Sequence, residues 1–262
     1  MTLRGNRKKE MADKRNENDL ASMSLGDHLD ELRSRLMLGL AGLAVAIVVS
    51  LAAGKWFLAI ILSPYQAAMA DAEMDVKLQA IEVAEPFMVY MKAVVVLAVL
   101  LSSPWLFYQI WAFISAGLYK HERRFVRLAA PASAVLFVVG VMFFLLAIAP
   151  MVFQFFVQFN PGIEHVYQPQ LTKAVNFVLT LALVFGLAFQ TPIAIVFAER
   201  MGLVSVETLR RVRKYVLLVV FIVAAMATPP DVVSQVALAV PLYLLYEGSI
   251  IVCSLWRKKR KA

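Results

Sequence analysis

Residues Ser24–Gly54 read SLGDHLDELRSRLMLGLAGLAVAIVVSLAAG. The second part, Met37–Gly54, is 18 residues without a charge. That is about 27 Å of helix, on the scale of the hydrocarbon core of a bilayer. The first part, Ser24–Leu36, is a charged lead-in. Ser24 with Asp27 three residues on fits a helix start, because a side-chain oxygen can meet the orphan amides there. Leu25, Leu29, Leu32 and Leu36 recur at spacings of four, three and four, which is one apolar stripe on a helix. Asp27 and Glu31 share another face, with Arg35 one turn further on. Read plainly, the segment lies on a membrane surface and feeds a transmembrane helix. The sharper reading makes its carboxylates part of a binding surface at the membrane edge.

The whole chain supports the membrane assignment. It has 262 residues, 61% of them hydrophobic, and a mean hydropathy of +0.73. A soluble domain averages about 45–50% apolar. The apolar runs are too long for barrel strands and do not alternate, so the spans are helices. The first run has no small-residue cleavage pattern and further spans follow it, so it is expected to be retained. The single cysteine, Cys253, excludes an intrachain disulfide framework. The three histidines, His28, His121 and His165, are scattered, so no metal is called for.

The sequence predicts an all-α integral membrane protein with six transmembrane helices and both termini cytoplasmic. Spans are expected at about 37–62, 87–113, 128–157, 171–198, 215–227 and 232–255. A polar cytoplasmic tail expected to be disordered, 1–23, precedes this membrane domain of 24–255, and a basic cytoplasmic tail, 256–262, follows it. Ser63-Pro64 is expected to close span one. A kink is expected at Ser102-Ser103-Pro104 in span two. Span five, Tyr215–Ala227, has only 13 residues, about 20 Å, and ends at Thr228-Pro229-Pro230-Asp231. No Gly-x-x-x-Gly pair occurs, so close glycine-driven helix pairing is not signalled.

Charge placement sets the orientation. Of 26 Lys and Arg residues, 22 fall in the two terminal segments and the loops 116–127 and 199–214. The positive-inside rule puts those segments in the cytoplasm. It also accounts for the net charge of +8 without nucleic acid. The basic ends favour anionic lipid headgroups.

Enzyme signatures are missing: no phosphate loop, no Gly-x-Ser-x-Gly and no His-Glu-x-x-His. Neither catalysis nor a cofactor is expected. Polar residues inside spans are site candidates by default. Glu247 has Tyr243 and Tyr246 nearby. Asp231 suits a cap for span six. Gln190 stands before Pro192, where it can satisfy the interrupted backbone or line a polar cavity. Glu122, in the basic loop Tyr119–Arg124, pairs locally with an arginine or joins Glu31 as a second carboxylate. Two carboxylates on one face suit paired guanidinium groups, because an arginine fork meets a carboxylate bidentately.

Four stretches together resemble the TatC family, the multi-spanning core subunit of the twin-arginine protein translocase. They are His28-Leu29-Asp30-Glu31-Leu32-Arg33, then Ser103-Pro104 through Tyr108-Gln109-Ile110-Trp111-Ala112-Phe113, then Tyr119-Lys120-His121-Glu122-Arg123-Arg124, and finally Thr228-Pro229-Pro230-Asp231 with Ser234-Gln235. The resemblance covers about Ser24–Leu255. It implies a receptor in the bacterial inner membrane for the Arg-Arg signal peptides of folded cargo. It also implies single-span partners of the TatA and TatB type, several copies of the chain within a larger complex, and export driven by the proton-motive force. Signal contacts carry over to Glu31 and Glu122, with Arg33, Phe113, Lys120 and Arg124 in the same surface. Pro64, Pro104 and Asp231 match residues important for fold or transport, and Met226, Thr228 and Gln235 match a partner-helix surface. Many relatives carry glutamate where this chain has Gln190, so hydrogen bonding transfers to that position and a negative charge does not. The competing reading is a secondary transporter of a small solute, with Gln190, Asn176 and Glu247 lining a midplane site.

Overall fold

The computed structural model describes residues 25–73, 78–117, 123–159, 168–228 and 231–261. Its helices, in order, are α1 (Leu25–Asp71), α2 (Glu85–Ala116), α3 (Arg123–Phe143), α4 (Ala149–Gln158), α5 (Leu171–Ala188), α6 (Thr191–Arg200), α7 (Val206–Arg211), α8 (Arg213–Ala227) and α9 (Val232–Lys261). A π-helical turn, Phe144–Ile148, joins α3 to α4. The only strand-like pairing among the described residues is one isolated bridge, Gln79 with Gln170. Five units are long and apolar enough to cross a bilayer: α1, α2, α3 with α4, α5 with α6, and α9. The short α8, at 15 residues and about 22 Å, is the sixth crossing of an all-α membrane protein. Its brevity matches the expectation for span five, whereas α9 is long, with 30 residues that run past Leu255 to Lys261.

The chain reverses at each turn, giving the bundle two ends. One, the termini end, holds Leu25 and Lys261. The other, the far end, holds Asp71, Gln158 and Ala227, the last residues of α1, α4 and α8. Helix α1 packs chiefly along α2, and α3 packs against α2 and α5. The core between them includes Ile61, Phe144, Leu181, Phe185 and Leu238, all fully buried.

The expected stop at Ser63-Pro64 is corrected, and the device that carries the helix through recurs at Pro104. Span one does not close at Ser63-Pro64, because α1 continues to Asp71. Proline removes the N–H that would meet the carbonyl four residues back. The Ser63 hydroxyl donates to that carbonyl, Ile60 O, at 2.8 Å. The added turns are held by packing, since Tyr65, Ala68 and Met69 are buried and the Tyr65 ring meets Phe153 edge-on at 5.7 Å. Pro104 is treated alike: Ser103 donates to Leu100 O at 2.8 Å, and α2 runs through unbroken. No serine precedes Pro150, and there the helix widens into the π turn instead. Span four breaks at Phe189–Gln190, before Pro192.

Glycine does allow close approach, although no Gly-x-x-x-Gly pair signals it. Single glycines on one helix meet aromatic side chains of the next. A Cβ on Gly42 would collide with the Trp105 ring. A Cβ on Gly140 would lie 2.7 Å from the Phe185 carbonyl oxygen, and one on Gly186 would lie 2.6 Å from the Phe137 ring. The contacts are long-range, so no short motif announces them.

The far end is clasped. Gln79 N–H donates to Pro169 O at 3.0 Å, and Leu171 N–H donates to Gln79 O at 2.9 Å. Beneath this bridge lies Glu85, 3% exposed. Its Oε2 accepts from Ile81 N–H at 2.7 Å and Glu82 N–H at 3.2 Å. Its Oε1 accepts from Thr172 N–H at 2.7 Å. One carboxylate therefore caps two segments 87 residues apart.

Candidate functional site

At the termini end, α1 lies against α2 along a line of specific contacts. The His28 and Phe113 rings stack, 4.5 Å apart and 26° from parallel. One turn on, Glu31 Oε1 accepts from Arg35 Nε at 2.7 Å. Arg35 Nη1 donates to Gln109 Oε1 on α2 at 3.2 Å, and Gln109 is only 4% exposed. Next, Trp105 Nε1 donates to Leu38 O at 2.9 Å. The i, i+4 spacing of Glu31 and Arg35 makes their meeting a direct product of helix geometry. Their side chains remain 27% and 30% exposed, so the Glu31 side chain is partly accessible near a stacked ring pair. Such a carboxylate can accept a further guanidinium.

Arg33 sits about 200° around α1 from Glu31, exposed on the other face. Lys120, Glu122 and the side chain of Arg124 lie outside the described residues. Gln109 and Arg35 were not among the expected contacts. The four-residue step from Glu31 makes Arg35 legible in the sequence, whereas Gln109 is 74 residues away from it.

A second polar node sits inside the bundle. Trp111 Nε1 on α2 donates to Ser133 Oγ on α3 at 2.8 Å. Gln190 Nε2, at the break between α5 and α6, donates to Ser133 O at 3.0 Å. Gln190 therefore satisfies another helix, not its own interrupted backbone. At the far turn, Asp231 Oδ1 accepts from Ser234 N–H at 2.6 Å, a helix cap as expected. Thr228 Oγ1 donates within its own helix to Ala224 O at 2.8 Å. Gln235 Nε2 donates across to Phe221 O on α8 at 3.2 Å. Met226 is 83% exposed and open to a neighbour.

A family model described as Sec-independent protein translocase protein (TatC) matches residues 27–241. The chain belongs to the TatC family. A TatC from Desulforapulum autotrophicum is 38% identical over 234 residues, 89% of this chain and 85% of that protein. A TatCy from Bacillus subtilis is 34% identical over 241 residues, covering 92% of each chain. A crystal structure described as the twin-arginine translocase receptor TatC superposes with a TM-score of 0.77, at 30% identity over 87% of this chain and 98% of that one. The TatC assignment makes the chain a multi-pass component of a protein translocase.

The transporter alternative loses its site within this TatC fold. Asn176 accepts from Lys92 Nζ at 3.1 Å on the α2–α5 face. Gln190 is spent on Ser133. Glu247 pairs with Arg213 Nη2 at 2.6 Å and accepts from the Tyr243 hydroxyl at 2.9 Å, while the Tyr246 hydroxyl turns to Leu209 O at 2.6 Å. The three residues serve three separate helix contacts. Arg213 was missed as the partner of Glu247, because the pair spans 34 residues.

Proposed function

We propose that this chain is the core receptor of a twin-arginine translocase, binding Arg-Arg signal peptides of folded proteins at its termini end. The observation that carries the reading is the Glu31 carboxylate, held at the surface by Arg35 and Gln109 beside the His28–Phe113 stack. One signal arginine docks on Glu31 and the other on Glu122. Phe113, Lys120 and Arg124 line the same surface, while Arg33 stands on the other face of α1. The chain sits in the bacterial inner membrane with both termini cytoplasmic, which the Lys and Arg distribution supports. Single-span TatA and TatB type subunits pack near Met226, Thr228 and Gln235. Several copies assemble into a larger complex, and the proton-motive force drives export. The chain performs no catalysis of its own.

Binding of a twin-arginine peptide to the purified protein tests this. Charge-assisted hydrogen bonds contribute about 1.5–3 kcal/mol. Glu31→Ala and Glu122→Ala should each weaken binding about tenfold to hundredfold. Unchanged affinity in both variants would defeat the assignment.

A further inference from the structure

Lys92 is a cation on a spanning helix, seven residues in from the far-end start of α2. Its ammonium donates to the neutral amide oxygen of Asn176 on α5 at 3.1 Å. Among the described residues, no carboxylate pairs with it. Lys173, three residues before Asn176 and on the same side of α5, is also exposed and also without an ion pair among the described residues. Charges at this depth normally pair or turn toward the headgroups. The segment between α1 and α2 carries Asp71, Glu73, Asp75, Glu82 and Glu85 against a single Lys77.

Directly beside the Lys92–Asn176 pair lies a cavity of about 590 Å³ between α2 and α5. Its walls include Met88, Met91, Val95, Leu179 and Leu183. The chemistry is therefore two-part. At the rim are an ammonium and the amide N–H donors of Asn176, whose oxygen is already committed to Lys92. Alongside them is an apolar slot within the spanning part of two helices. An apolar helix would fill the slot and leave the cation unneutralised. A free anion would meet the cation and leave the slot empty. An anionic phospholipid satisfies both at once, with phosphate on the donors and an acyl chain along the slot.

The geometry points to a site for one anionic phospholipid between α2 and α5, its phosphate held by Lys92 and Asn176 with Lys173 adding to the field. A cation close to the headgroups attracts an anionic phosphate on either side of the bilayer, at about fivefold in affinity per charge. The site is independent of the signal-peptide reading and stands or falls without it.

The test is native mass spectrometry of the purified full chain, exchanged into micelles doped with equal phosphatidylglycerol and phosphatidylcholine. The protein should retain phosphatidylglycerol over phosphatidylcholine by about fivefold or more. Lys92→Gln should bring that ratio close to one, and Lys173→Gln should lower it less. Thr180→Trp, which narrows the slot from an exposed position, should reduce retention of both lipids while leaving the charges in place. Thermal unfolding of each variant separates lost binding from lost fold. Equal retention of the two lipids by the unmodified protein overturns the site. So does an undiminished preference in folded Lys92→Gln. Crosslinking of Lys92 in membranes to a carboxylate-bearing protein helix in place of lipid also overturns it.

Discussion

The Ser103 hydroxyl donates to the Leu100 carbonyl at 2.8 Å, the carbonyl that Pro104 deprives of its amide partner. Ser103 is 1% exposed, so no water replaces that donor. Ser103→Ala should cost about 1–3 kcal/mol, the range for a buried carbonyl left unmet. In a Pro104→Ala background the amide returns, and the same serine change should be close to neutral. Unfolding in detergent of the four proteins of this cycle gives the coupling directly. Ser63→Ala, at an exposed position, should cost less.

The glycine contacts give a contrast within one protein. Gly140→Ala places a methyl group against the backbone of α5, which cannot rotate away, and should cost about 1–3 kcal/mol. Gly248 meets nothing within 4 Å. Gly248→Ala should therefore stabilise by up to about 1 kcal/mol through helix propensity alone. Apparent melting temperatures of the two variants should move in opposite directions.

Gln190 acts as a donor to Ser133 O. Gln190→Leu removes the donor and should cost about 1–3 kcal/mol. Gln190→Glu keeps the shape, but an ionised carboxylate has no proton to give to a carbonyl. That variant should be the less stable protein at neutral pH and should recover toward the parent as acid supplies the proton. Unfolding measured at several pH values checks the sign. A variant as stable as the parent at neutral pH would mean that the Ser133 contact contributes nothing.

Glu85 holds the far-end clasp through three backbone amides. Glu85→Gln keeps one acceptor oxygen and gives up the charge. Hydrogen exchange at Ile81, Glu82 and Thr172 should quicken, while amides around Ala98, in the middle of α2, stay protected. Uniform protection in the variant would show the clasp to be held by packing alone.

These residues also mark how far the sequence could be read. Local signals carried well: the uncharged run Met37–Gly54, the shortness of α8, and the Asp231 cap. Each depends on neighbours within one or two turns, where pattern and geometry are nearly the same thing. Ser63-Pro64 misled because the stop signal and its remedy are adjacent, and proline is normally weighed alone. Glu85 with Thr172, Arg213 with Glu247, and Gly140 with Phe185 were illegible for another reason. Each is a meeting of distant helices, decided by packing that no periodicity records. At the proposed signal-peptide site, Glu31 and Arg35 followed from helical spacing, while Gln109 became their support only when α2 was laid alongside.

Helix α1 spans 47 residues, about 70 Å, and its proline is compensated so that the hydrogen-bonded ladder is not left open. It is therefore one continuous helix from end to end of the bundle. A tilt of about 5° pivoted at Glu31 would carry the Asp71 end roughly 5 Å sideways, about the width of one strand spacing. Asp71 is tied there to Gln154 at 2.8 Å, so any such tilt would have to carry α4 with it or break that contact.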